Sequence, residues 1–128
     1  MKLDSFISEI FRIGRFSIVG ALATMIHLIT SISSASFFLF SIQVANLLAF
    51  SVALGFSFLG HYYFTFQSNK VMREVIPRFL ITAMSGYAAS AGLLFLLDGA
   101  ELAPQIKLVL AAMMVPIMSY IINRFWVF

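Results

Sequence analysis

Long apolar stretches alternate with short polar connections along the chain, and four of the stretches are long enough to cross a bilayer. An α-helix needs about 20 apolar residues to cross a hydrocarbon core of about 30 Å. The predicted spans lie at about 16–40, 44–64, 79–97 and 106–125, and none has a charged side chain in its middle. The pattern predicts an all-α, polytopic membrane protein with four transmembrane helices.

A shorter helical pattern precedes the first span. Apolar side chains recur every three or four positions at Leu3, Phe6, Ile7, Ile10 and Phe11, with mainly polar residues between them. This spacing is typical of a short amphipathic helix that lies in the membrane interface. A cleaved signal peptide is the alternative, which the acidic residues and the long following span disfavour.

The second half of the chain repeats the first at a distance of about 62 residues. Arg15-Phe16 opens one copy and Arg78-Phe79 opens the other. The equivalent closing residues are Ser57 and Ser119, His61 and Asn123, Phe64 and Trp126, and Phe66 and Phe128. The repeat predicts one transmembrane domain over 1–128 with halves at about 15–66 and 78–128. Two spans per half predict parallel helical hairpins, related by an axis along the membrane normal.

Composition restricts the class of protein. Hydrophobic residues make up 62% of the chain and charged residues 10%, whereas a soluble domain has about 25% charged residues. Cysteine is absent, which excludes disulfides and thiolate sites. We expect no metal or other cofactor. We also expect no enzyme activity, because no catalytic set of side chains stands out.

The basic residues are distributed asymmetrically. Of the eight Lys and Arg residues, seven lie on one side of the four-span path and Lys107 lies on the other. The seven are Lys2, Arg12, Arg15, Lys70, Arg73, Arg78 and Arg124. The positive-inside rule then places both termini and the middle loop in the cytoplasm.

Three of these arginines are candidates for binding phosphate. Arg15 and Arg78 begin the odd spans at equivalent repeat positions, and Arg124 closes the last span. The planar guanidinium fits phosphate oxygens, so a ring of such side chains at headgroup depth predicts a phosphate-bearing lipid as ligand. The alternative is that the arginines only anchor the helices by reaching toward ordinary headgroups.

Five polar residues could line a path for a sugar headgroup: His27, Asn46, His61, Tyr62 and Asn123. His27 lies roughly 18 Å beyond Arg15 along a helix, and an ionisable residue at such a depth usually faces a protein interior. The alternatives are a neutral His27 bonded to Ser31 or to a neighbouring helix, and a helix-capping role for Asn46.

Small residues also recur at steps of about four: Gly20 and Thr24, then Ala49, Ala53 and Ser57, then Gly86 and Ser90. Such stripes allow helices to approach closely in lipid. They predict packing within the chain or, as the alternative, contact with a second copy.

Taken together, these motifs resemble the GtrA-like family of small four-span bacterial membrane proteins. The resemblance is carried by 15–20, Asn46, 58–66, Arg78-Phe79 and 123–128. The family's closing pattern begins with Asn and a basic residue. The second copy follows it, whereas the first has His61 and Tyr62 at those positions.

The resemblance implies flipping of a polyprenyl-phosphate-linked monosaccharide, such as undecaprenyl phosphate glucose, from the inner to the outer leaflet of the bacterial cytoplasmic membrane. The sugar would serve cell-surface polysaccharide synthesis. The implied partners are the lipid-linked sugar, membrane lipids and a glycosyltransferase, and we expect a homo-oligomer without nucleic acid. A non-transporting scaffold for the glycosyltransferase is the alternative. A proton-driven exporter is disfavoured because no span holds an acid.

Overall fold

The computed structural model describes residues 2–128, apart from the side chains of 35, 42, 43, 104, 105, 108 and 112. Its regular elements are all helical: α1 (Lys2–Phe37), α2 (Ile42–Leu59), α3 (Met72–Leu97) and α4 (Pro104–Ile122). A π-helical turn follows α2 at Gly60–Thr65, and a second follows α4 at Asn123–Val127. The all-α fold predicted from the apolar pattern is confirmed.

Four helical segments are long and apolar enough to cross a membrane. These segments are Lys2–Ser34, Val44–Thr65, Met72–Leu97 and Val109–Val127. They coincide with the predicted spans, apart from their ends. The chain is therefore a multi-pass membrane protein.

The chain divides into two compact units, Met1–Ser68 and Asn69–Phe128. Each unit is a helical hairpin, because α1 packs against α2 in the first and α3 against α4 in the second. The division falls in the connection between the two copies of the sequence repeat.

Small side chains allow the helices of the first hairpin to pack closely. Ala45, Ala49 and Ala53 of α2 are buried, as are Phe16 and Val19 of α1. Their spacing of four places the alanines on one face of α2, and without large side chains that face can approach a neighbouring helix closely.

The second hairpin uses the same periodicity. Val75, Phe79, Thr82 and Gly86 are the buried residues of α3. A methyl group added at Gly86 would lie 3.4 Å from the Ser119 Oγ atom of α4. The predicted packing of this small residue within the chain is therefore confirmed.

The amphipathic segment before the first span is helical, but it is not a separate helix. It continues without a break into the first span as the 36-residue α1, which is about 54 Å long at 1.5 Å per residue. Residues 2–15 contain no proline, so the backbone hydrogen bonds can continue through Arg15.

Candidate functional site

Both hairpins end in the same irregular structure. The Phe66 N–H donates to the His61 carbonyl at 2.9 Å, and the Phe128 N–H donates to the Asn123 carbonyl at 3.0 Å. Each bond joins residues five apart, the spacing of a π-helix, and such turns occur frequently at functional sites. The two bonds connect equivalent residues of the sequence repeat.

An arginine lies over an aromatic ring of the π turn in each hairpin. The Arg15 guanidinium carbon is 5.5 Å from the centre of the Phe64 ring, and that of Arg78 is 5.8 Å from the Trp126 ring. Both distances are within the range of a cation–π interaction. The structure thus places the two predicted phosphate-binding arginines in equivalent local surroundings.

The two arginines nevertheless differ in their hydrogen bonds. Arg78 Nη1 donates to the Trp126 carbonyl at 3.3 Å. Within the described residues, Arg15 is half-buried and has no hydrogen bond or ion pair. Since a guanidinium has five N–H donors, Arg15 keeps its whole donor set for a ligand, whereas Arg78 uses part of its set to cap a helix end.

The third predicted arginine, Arg124, belongs to the second π turn. Its guanidinium carbon lies 5.4 Å from the centre of the neighbouring Phe125 ring. Because Arg78 contacts Trp126 in the same turn, the second hairpin brings two of the three predicted cations to one helix end.

Phenylalanines pack behind the arginines. Phe16 stacks on the His61 ring, with 4.5 Å between centres and 13° between planes, and lies 6.4 Å from Phe66. At the equivalent place in the second hairpin, Phe79 lies 6.1 Å from Phe128. These contacts fix the residue next to each arginine and so restrict where the guanidinium can lie.

His61 and Asn123 are equivalent in sequence but differ in their bonding. His61 is 3% exposed, and its Nδ1 atom lies 3.0 Å from the Thr65 hydroxyl oxygen. Asn123 is 1% exposed, and its Oδ1 atom has no hydrogen-bond partner within the described chain. Val127 occupies the position equivalent to Thr65, so the second hairpin has no hydroxyl there.

Tyr62 is half-buried in the first π turn. Its ring lies 5.9 Å from Phe58 and 4.9 Å from Tyr63. The structure therefore groups Tyr62 with His61 and the ring below Arg15, at one end of the first hairpin.

The other two predicted polar residues lie far from this end. His27 is half-buried in α1, and the predicted alternative, a hydrogen bond to Ser31 or to a neighbouring helix, is not formed within the described chain. Asn46 is exposed in α2 and lies roughly 22 Å before His61 along the helix. The predicted alternative of a cap at Asn46 is also wrong, because the Ser41 side chain accepts the bond from the Val44 N–H.

Two kinds of contact at the site were not predicted from the sequence. Lys70 Nζ donates to the Val127 carbonyl at 3.3 Å, a contact across 57 positions that has no local sequence signal. The aromatic rings of Phe64 and Trp126 lie below the arginines, and their equivalence in the repeat was the available signal. Among residues 2–128 no group of three His, Asp or Glu side chains could hold a metal ion.

Comparison with known proteins places the chain in a family. No curated protein and no solved structure matches the chain significantly. The family described as "GtrA/DPMS, transmembrane domain" matches residues 15–128, which begin at Arg15 and include both hairpin ends described above. The chain therefore belongs to the GtrA/DPMS transmembrane domain family.

Proposed function

We propose that the protein moves a polyprenyl-phosphate-linked monosaccharide, such as undecaprenyl phosphate glucose, from the cytoplasmic to the outer leaflet. The chain is a multi-pass membrane protein of a family related to the handling of glycosyl lipid carriers. Transport is downhill, because consumption of the sugar outside withdraws the lipid from the outer leaflet. The protein itself makes and breaks no covalent bond.

One observation carries this proposal: the arginine held over an aromatic ring at the end of each hairpin. Each ring attracts the charge of the guanidinium through a cation–π contact, and the N–H donors of the guanidinium are the groups that a phosphate needs. Planar N–H edges bind phosphate oxygens with two parallel bonds. Arg15 is the strongest candidate because its donors have no protein acceptor within the described residues.

The basic residues support the direction of transport. Arg15, Arg78 and Arg124 lie on the side of the path that the positive-inside rule assigns to the cytoplasm. We propose the bacterial cytoplasmic membrane as the location, with both termini inside. A glycosyltransferase would then load the lipid on the face where the arginines lie.

A sugar headgroup loses its water on entering the membrane and needs replacement hydrogen bonds. We assign these to Tyr62 and Asn123 near the cytoplasmic ends, to His27 within α1, and to Asn46 toward the outer end of α2. His27 has no hydrogen bond within the described chain, so its ring nitrogens can serve a passing hydroxyl group.

The test is transport of labelled glucosyl-phosphoryl-prenol in vesicles that contain the purified full chain. Exposure of the label to an external reagent measures its arrival in the outer leaflet. We expect the Arg15→Gln variant to lower the transport rate at least tenfold, because a charge-assisted bond to phosphate contributes about 1.5–3 kcal/mol.

Arg73→Gln is the matched control. Arg73 lies on the same predicted side, is exposed, and has no described contact with an aromatic ring. Its substitution therefore removes the same charge as Arg15→Gln but leaves the arginine–ring contacts of the site intact. We expect its rate to stay near that of the wild type. Equal rates with and without protein would overturn the proposal.

A non-transporting scaffold that recruits the glycosyltransferase is the second candidate. The seven basic residues on one side of the four-span path favour it, because a basic face can bind an acidic partner. Charge reversal at Arg15 separates the two functions. A transporter loses lipid binding and keeps partner capture, whereas a scaffold that binds through its basic face loses the partner.

A further inference from the structure

We infer that the two hairpins have different tasks, and that Asn123 of the second hairpin accepts a hydrogen bond from a hydroxyl group of the sugar. His61, its equivalent, is a positioning residue that supports the first π turn. This inference rests on the proposed function and deepens it, because it assigns recognition of the sugar to one side of the repeat.

The bonded polar residues of the first π turn are replaced in the second. The first π turn has His61 and Thr65, four positions apart, and the two side chains bond each other at 3.0 Å. The second π turn has Asn123 and Val127 at the same positions. The second copy therefore has a polar side chain, Asn123, but an apolar residue in place of the threonine that would bond it.

One buried side-chain atom of the second π turn has no hydrogen-bond partner in the described chain. Asn123 Oδ1 is buried and has no partner within the described chain, the only such side-chain atom there. Buried acceptors are nearly always bonded, and each exception calls for an explanation such as a missing ligand or water. Because Oδ1 has less than 1 Å² of accessible surface, a donor reaches it only when the adjacent side chains move.

The chemistry of the amide carbonyl determines which partner Asn123 Oδ1 can bind. A carbonyl oxygen only accepts hydrogen bonds, so it repels the oxygens of an ionised phosphate. It needs an O–H or N–H donor. A monosaccharide offers several hydroxyl donors, and the cationic side chains of Arg78 and Arg124 contact rings of the same π turn, where they can hold the phosphate attached to that sugar.

The contrast with the first hairpin supports the division of tasks. His61 has its Nδ1 bonded to Thr65 and its ring stacked on Phe16. The bond holds His61 within the π turn, and the stack holds Phe16, the residue that follows Arg15. The first hairpin therefore uses its polar pair to support its own π turn, whereas the second has a buried acceptor without a donor in the described chain.

The experiment exchanges the differing pair between the copies. The double variant N123H/V127T gives the second turn the bonded pair of the first, and H61N/T65V makes the reverse exchange as the matched control. Full-length protein in nanodiscs is titrated with glucosyl-phosphoryl-prenol and with phosphoryl-prenol that lacks the sugar. The ratio of the two affinities measures recognition of the sugar.

We expect the wild type and H61N/T65V to prefer the lipid that carries the sugar. N123H/V127T should lose about tenfold of that preference, while its affinity for phosphoryl-prenol stays unchanged. A full preference in N123H/V127T overturns the inference alone. Failure of the wild type to bind either lipid overturns the proposed function, and the inference with it.

A third variant covers the case in which the double variant does not fold. Asn123→Leu replaces the unpaired acceptor by an apolar group of similar size. Loss of the sugar preference in this variant supports the inference. If the variant is more stable than the wild type and keeps the preference, Asn123 binds no sugar and the inference is wrong.

Discussion

At the residue scale, Gly60 shows how closely the first hairpin packs. A Cβ atom at this position would lie 2.8 Å from Cγ1 and 3.1 Å from Cγ2 of Val19. Valine is β-branched and has a restricted side-chain rotamer in a helix, so it cannot easily turn away. Glycine therefore occupies the point where the first π turn approaches α1.

Substitution of Gly60 by alanine is expected to destabilise the protein. The added methyl group gains up to about 1 kcal/mol of helix propensity, but overpacking typically costs about 1–3 kcal/mol. We expect a net loss of about 1 kcal/mol in the free energy of unfolding in detergent. The double variant G60A/V19A should recover part of it, because the clashing methyl groups of Val19 are gone.

Gly55→Ala in the same hairpin is the control. A Cβ atom at Gly55 would have no atom outside its own helix within 4 Å, so only the gain in propensity remains. This variant should be as stable as the wild type or more stable. Equal losses in G60A and G55A would contradict the role of Val19.

Arg78 provides a second prediction at this scale. Its Nη1 atom caps the Trp126 carbonyl, so Arg78→Gln should weaken the end of the second hairpin by about 1 kcal/mol. Arg15→Gln breaks no hydrogen bond within the described chain and is the control. Hydrogen exchange of the amides of 123–128 should speed up only in Arg78→Gln, and equal effects would contradict the difference between the arginines.

The sequence predicted which residues are equivalent, but not how each is bonded. The repeat predicted that Arg15 is equivalent to Arg78 and His61 to Asn123, because a duplicated sequence pattern indicates duplicated local surroundings. The difference between Arg15 and Arg78 depends on a carbonyl 48 positions away. Such a bond depends on how the helices pack, and no local spacing indicates it.

At the element scale, the length of α1 is the main departure from the sequence analysis. The apolar spacing at residues 3–11 correctly indicated a helix, but hydrophobic periodicity carries no information on whether two helices share one axis. The structure continues α1 over 36 residues, longer than a core of about 30 Å requires. The π turns were missed for a similar reason, since the apolar pattern does not reveal a single widened turn.

The continuity of α1 can be measured with spin labels. The chain has no cysteine, so labels at Ser8→Cys and Ser36→Cys, both exposed positions of α1, report one distance. A continuous helix predicts roughly 42 Å between the backbones of these residues. A separate interfacial helix bent at Arg15 would give a clearly shorter distance, and a control pair at Ser17→Cys and Ser36→Cys should not change between the two cases.

At the scale of the whole molecule, duplication explains much of the fold. A single hairpin of two helices buries few side chains, and many large apolar residues such as Phe95, at 82% exposed, lie on the outside. In lipid this surface needs no further cover, since acyl chains are as apolar as the side chains. The fold could therefore be predicted from the apolar pattern. The site could not, because it depends on a few polar contacts that form only when the helices of each hairpin pack.

The orientation of the whole chain gives the last prediction. Seven of eight basic residues lie on the side that includes the middle connection, so that connection should face the cytoplasm. In the Asn69→Cys variant, the single cysteine should then not react with a membrane-impermeant maleimide in intact cells. In the Glu101→Cys variant, the cysteine lies in the connection between α3 and α4, on the predicted outer side, and should react. Both positions are exposed, so access depends on the membrane alone.

Permeabilised cells should label both variants equally. If Asn69→Cys reacts in intact cells and Glu101→Cys does not, the arginines face the outer leaflet and cannot receive a lipid loaded inside.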